Sequence, residues 1–145
     1  MQNRNIDILG LNETKFNINI KTEDIQIYES EVAIIMKKNL AKHVGHITKI
    51  EGHVLAVHML FKKSKLCIIQ VYLPSNKRSS NKYQHTIRKI IMEEMKIKSK
   101  IILMGDFNAV RNPQTDRPYK INKRLSWKPE IEIFNFLNNW AFVNI

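Results

Sequence analysis

Asp106 and Asn108 stand two residues apart at the end of the run IILMGDFN, residues 101 to 108, where four apolar residues lead directly into polar ones. Ile101 to Met104 read as a buried strand, and Gly105 frees the backbone to bring the polar pair out at the strand's C-terminal edge. In extended chain, residues two apart point to the same side. A carboxylate and an amide so placed can take a proton from a nucleophile and hold an anionic transition state. Without that setting, Asp-Phe-Asn after a strand is an ordinary turn, because both polar types bond local backbone.

Two other segments carry chemistry of the same kind. DILGLNET, residues 7 to 14, sets Glu13 just past a short apolar strand. A carboxylate there suits the hard cation Mg²⁺, which takes few protein ligands and keeps several waters. VYLP, residues 71 to 74, puts Tyr72 at a strand end before Leu73 and Pro74. Its hydroxyl can donate to a phosphate oxygen, although a strand tyrosine more often serves as half-buried packing.

Taken in this order and at these separations, DILGLNET, VYLP and GDFN resemble the endonuclease/exonuclease/phosphatase superfamily. These are the DNase I-like metal-dependent phosphodiesterases and phosphatases, and within them the likeness is to the apurinic-endonuclease-type domains of non-LTR retrotransposons. The resemblance runs from residue 6 to residue 145. It implies that Glu13 binds Mg²⁺, with Mn²⁺ as a substitute, and that Asp106 activates the attacking water. Asn108 would position nucleophile and phosphate, and Tyr72 would donate to the phosphate. Asn76, two residues past Pro74, falls where many relatives carry another polar residue near the site.

The implied fold is α/β, a four-layered sandwich of two packed, mainly antiparallel sheets flanked by helices. The implied activity is hydrolysis of DNA phosphodiesters, with RNA as a second substrate class, in an intracellular protein that is nuclear if retroelement-derived. Relatives also carry an asparagine on an earlier strand and a Ser-Asp-His type motif near the C-terminus, whereas no histidine follows His85 here. The expectation is a single partial domain over residues 1 to 145, weak as a catalyst alone, with the missing segments supplied by a longer parent chain. No obligate protein partner is implied.

The formal charge is +11, from 24 Lys and Arg against 13 Asp and Glu. Such a field favours polyanions and predicts salt-sensitive binding to nucleic acid, while dispersed lysine also serves solubility alone. Two other functions therefore stand beside DNA cleavage: nucleic-acid binding without catalysis, and hydrolysis of small phosphate esters. Arg111, Arg117 and Arg124 can face phosphate from a long loop or be solvated, and Trp127 can stack on a base or anchor that loop. His43 and His46 lie three apart, yet no cysteine or acidic residue stands at zinc spacing, so the five histidines read as surface or satisfied strand residues. Cys67, the single cysteine, excludes an intrachain disulfide and reads as a buried inert thiol. No run approaches the roughly 18 apolar residues of a membrane helix.

The elements that must position these residues are mostly strands. Residues 6–11, 25–28, 32–36, 47–50, 53–61 and 66–73 read as strands, with Ile25 and Ile27 alternating as on an edge and Lys62 to Lys65 as a turn inside an antiparallel meander. Ser75 to Asn81 reads as a loop, and Tyr83 to Lys96 as a helix with an apolar stripe of Ile87, Ile90, Ile91 and Met95. Residues 111–128 read as a long functional or mobile loop. Pro129 then opens a helix to Trp140 with Ile133, Phe134, Phe136 and Leu137 inward, and residues 141–145 begin another strand.

Overall fold

A computed structural model describes residues 6–13, 25–108 and 132–139. Three short strands, β1 (Ile8–Asn12), β2 (Ile25–Glu29) and β3 (Val32–Met36), form an antiparallel sheet in the order β1-β3-β2, so the alternating β2 lies at an edge. After the one-turn helix α1 (Lys38–Ala41), which local periodicity does not reveal, come β4 (Val44–Ile50), β5 (Val54–Phe61) and β6 (Ser64–Tyr72). These pair in sequence as the expected meander. Helix α2 (Lys77–Lys96) then crosses over to β7 (Lys100–Asp106), which pairs parallel to β6 and completes a four-stranded sheet. The last described element is α3 (Glu132–Asn139).

The two sheets pack face to face, and the helices cover the other side of the larger one. Between the sheets lie Ile27, Val32, Ile34 and Met36 from one side and Leu55, Val57, Met59 and Ile68 from the other. On the helix side, Val54, Ala56, Cys67, Ile69 and Val71 meet Tyr83, Ile87, Ile90, Ile91, Ile133 and Phe136. The fold is thus α/β, with packed sheets flanked by helices, and three layers of the expected sandwich lie among the described residues. β6 shows why periodicity alone would misread it. Residues 67 to 71 are all buried, because a central strand with both faces covered has no solvent side to encode.

Two boundaries differ from expectation for identifiable reasons. Residues 77 to 81 are not loop but the opening of α2, whose N-cap is Asn76: its side chain accepts from Ser79 N at 2.9 Å. A polar first turn hides a helix whose apolar stripe begins only at Tyr83. The β5–β6 tip is also tighter than a four-residue turn, since Phe61 pairs with Ser64 and only Lys62 and Lys63 remain between. The stripe on α3 agrees with expectation: Ile133 and Phe136 are buried, and Phe134 and Leu137 pack against the same core. Pro129, Trp140, the loop 111–128 and the strand at 141–145 lie outside the described residues.

Candidate active site

The C-terminal ends of β1, β6 and β7 meet at one rim of the two-sheet core. Tyr72 and Asp106 are register partners on β6 and β7, and Leu73 N donates to Asp106 O at 2.8 Å just beyond them. That close pairing depends on Gly105, whose φ is 136° and whose missing Cβ would run into the Val71 carbonyl. Phe107 anchors the next turn, packing its ring 5.2 Å from that of Phe134 on α3. Asp106 is thereby left exposed and Asn108 half-buried beside it, while Phe107 between them packs against the core.

Hydrogen bonds complete the arrangement. Asp106 Oδ1 accepts from Asn108 N at 2.8 Å, and Asn108 Nδ2 donates to Leu73 O at 2.8 Å. Across the gap between the sheets, Tyr72 Oη donates to Glu13 Oε1 at 2.8 Å. The phenol is held above its ordinary value, first by that bond to Glu13, then by burial and by the negative charges of Glu13 and Asp106; a hydrogen bond with Asn108 opposes the shift. Tyr72 therefore senses both carboxylates at once. Glu13, Tyr72, Asp106 and Asn108, drawn from three separated segments, share one locale.

Two of these residues also have an uncommon backbone conformation, which Ser30, Glu51 and Lys98 share elsewhere among the described residues. Glu13 has φ 55° and Asn108 φ 46°, both in the left-handed region. Asparagine adopts it at little cost, whereas glutamate does so only where the surroundings impose it. In both cases the left-handed residue falls just past a strand end.

One positioning residue was not singled out in the sequence. With its amide oriented by its neighbours, Asn12 accepts from Asp106 N at 2.8 Å and donates to Val71 O at 3.1 Å. It pins the end of β1 to the ends of β6 and β7, and so sets where Glu13 emerges. The buried Gln70 supports it, its amide 2.6 Å from that of Asn12, in space that the lack of a side chain at Gly10 leaves open. Asn12 was visible in LNET, but its role depends on tertiary contact.

Other candidates lie elsewhere. Asn76 is committed to capping α2. Arg111, Arg117, Arg124 and Trp127 fall outside the described residues. Among the histidines, His53 Nδ1 lies 3.0 Å from Tyr72 O and its ring stacks on Tyr72, so it braces the strand carrying that residue. His43 contacts Leu60 O, and His46 contacts Thr48, so that pair does not converge on one point. His58 is different: although sequence spacing offers it neither cysteine nor acid, the fold brings it both Cys67 and Glu94.

The rim's oxygen donors are carboxylate, phenol and amide groups, a hard set that fits Mg²⁺ or Mn²⁺ better than a soft cation. Glu13 is exposed and able to face such an ion. Among the described residues no helix is long and apolar enough to cross a membrane.

No family model matches the chain, and no curated protein matches it. Solved structures do. A humanized D. rerio TDP2 carrying 14 mutations aligns at 17% identity and TM-score 0.49, covering 72% of this chain and 50% of that one. A D. rerio TDP2 complexed with single-strand DNA product aligns at 18% identity and TM-score 0.48, covering 72% and 48%. The chain thus spans about half the length of the structures it matches.

Proposed function

We propose that this chain carries the catalytic rim of a Mg²⁺-dependent phosphodiesterase that cleaves DNA. The observation that carries the reading is the convergence of Glu13, Tyr72, Asp106 and Asn108 from three separated segments on one strand-end rim. Their types supply a metal ligand, a base, and polar donors for the phosphate oxygens; a side chain to protonate the leaving oxygen is not among these four. The +11 charge adds a field that concentrates a polyanionic substrate.

In this mechanism Glu13 would hold the metal, Asp106 accepts the proton of the attacking water, and the oxygen that leaves phosphorus takes its proton from solvent. Asn108, fixed by the Leu73 carbonyl, orients the nucleophile against the phosphate. Tyr72 transfers its donor bond from Glu13 to a phosphate oxygen as substrate enters. When bound, Mg²⁺ supplies the positive charge that offsets the phosphate oxygens. The resemblance of the three motifs further supports an endonuclease of the retroelement type, working on nuclear DNA.

The test is nicking of supercoiled plasmid by the folded chain with Mg²⁺, beside Asp106→Asn and Glu13→Gln. Nicking by the wild type that both substitutions suppress supports the proposal. Equal nicking by all three, or none by the folded wild type on either duplex or single-stranded DNA, overturns it.

A further inference from the structure

On the helix-facing side of the larger sheet, His58 and Cys67 stand opposite each other as register partners of β5 and β6. Glu94 of α2 descends onto the pair. His58 Nδ1 lies 2.9 Å from Glu94 Oε1, and one ligand atom from each of the three residues falls within 4.8 Å of the other two. Cys67 is fully buried and Glu94 nearly so, at 0% and 7% exposure. The cluster is separate from the rim: Cys67 precedes Tyr72 by five positions and so projects from the opposite face of β6.

Ordinary core packing accounts for part of this, with imidazole and carboxylate compensating each other. The thiol packs as a small apolar group in the helix-side core, with the carboxylate as its polar neighbour. Burial, and then the Glu94 carboxylate, push Cys67 up to about 12. A divalent cation would displace the thiol proton and join this sulfur to the neighbouring carboxylate.

Three features point to that cation. Thr48 Oγ1 lies 3.1 Å from His58 Nε2 and 3.3 Å from His46 Nε2. A partner on the far ring nitrogen is the usual device that orients a metal-ligating imidazole and leaves its other nitrogen as the ligand. A cleft of about 360 Å³ also opens on two of the three, His58 and Glu94, with Cys67 not in its lining; His46, Thr48 and Ser99 line it too, and the buried Ser99 Oγ has no partner among the described residues. Finally, a thiolate and a carboxylate together offset the charge of a divalent ion, so the occupied site is neutral in the core.

We propose that His58, Cys67 and Glu94 form a Zn²⁺ site with its fourth position open to the cleft. One nitrogen, one sulfur and one oxygen make a borderline donor set that suits zinc and disfavours Mg²⁺. Tetrahedral zinc with bonds of about 2.0–2.3 Å places adjacent donors roughly 3.3–3.7 Å apart, so the three atoms reach it through shifts of about 1 Å or less. Binding forms Zn–S, Zn–N and Zn–O bonds in place of the His58–Glu94 hydrogen bond; the Cys67 proton leaves to solvent, and the imidazole proton moves from Nδ1 to Nε2, where Thr48 Oγ1 accepts it. The bound ion would fasten α2 to β5 and β6.

Co²⁺, a spectroscopic stand-in for zinc, tests this on the reduced full chain. The expected result is one equivalent bound with thiolate-to-cobalt charge-transfer absorption in the near ultraviolet, bleached by Zn²⁺. Glu13→Gln and Asp106→Asn leave that absorption intact, whereas Cys67→Ser removes it and Glu94→Gln weakens binding at least tenfold. Absence of the thiolate band in the folded wild type overturns the site without reference to any variant. So does a band that survives Cys67→Ser.

Discussion

The Tyr72 hydroxyl donates to the Glu13 carboxylate across the gap between the two sheets, tying the end of β6 to the residue that follows β1. Because the bond needs a protonated phenol, Tyr72 is held above its ordinary value of 10.0. A group raised in the folded state adds stability that is complete below the unfolded value and is lost as pH rises through the folded one. The window therefore opens near pH 10 and extends upward. Phenolate absorbance should show Tyr72, identified by its loss in Tyr72→Phe, titrating above the normal range. Glu13→Gln should bring it down by removing a charge; Asn108→Ala should push it further up, since the Asn108 bond opposes the shift. A Tyr72 that titrates normally in the wild type would contradict the cross-sheet bond.

Asp106→Asn separates charge from geometry. The introduced amide oxygen can still accept from Asn108 N, as Oδ1 of Asp106 does at 2.8 Å, so the turn persists. If Asp106 is the base, nicking should fall by about 10²–10⁴-fold with little change in denaturant midpoint. A matching loss of stability would instead mean that the carboxylate serves mainly to hold the loop.

How much of this was legible in the sequence follows from what each feature depends on. Ile101 to Gly105 announced a strand delivering Asp106 because the apolar run, the glycine and the polar pair are contiguous. The α3 stripe was legible for the same reason. The start of α2 was not, since Ser79, Ser80 and Asn81 carry no apolar period and the cap at Asn76 looks like any turn asparagine. Asn12 and the His58–Cys67–Glu94 cluster were hidden more deeply: the first depends on β1 abutting β7, the second on the β5–β6 register and on which face of α2 turns inward. Contacts made across strands leave no local trace.

Asn76 offers a clean contrast between capping and site chemistry. Its side chain accepts from Ser79 N, one of the otherwise unpaired donors in the first turn of a twenty-residue helix. Asn76→Ala should cost about 1 kcal/mol of stability by denaturant unfolding and leave nicking per folded molecule unchanged. A large loss of nicking at unchanged stability would return Asn76 to the site.

Gly105→Ala tests the backbone on which the rim depends. At φ 136° a side chain is strained wherever there is room, and here there is none, because the new methyl would meet the Val71 carbonyl beneath the β6–β7 pair. The conformational term alone should cost roughly 1–3 kcal/mol, and the clash adds to it. Relief requires β7 to move away from β6, which would lengthen the Leu73 N to Asp106 O bond and shift Asp106 away from Tyr72. The substitution should thus lower stability and nicking together, unlike Asp106→Asn, and should also move the Tyr72 titration as the second carboxylate withdraws. If stability falls while that titration stays unchanged, the strand pairing at the rim does not set the distance between Asp106 and the phenol.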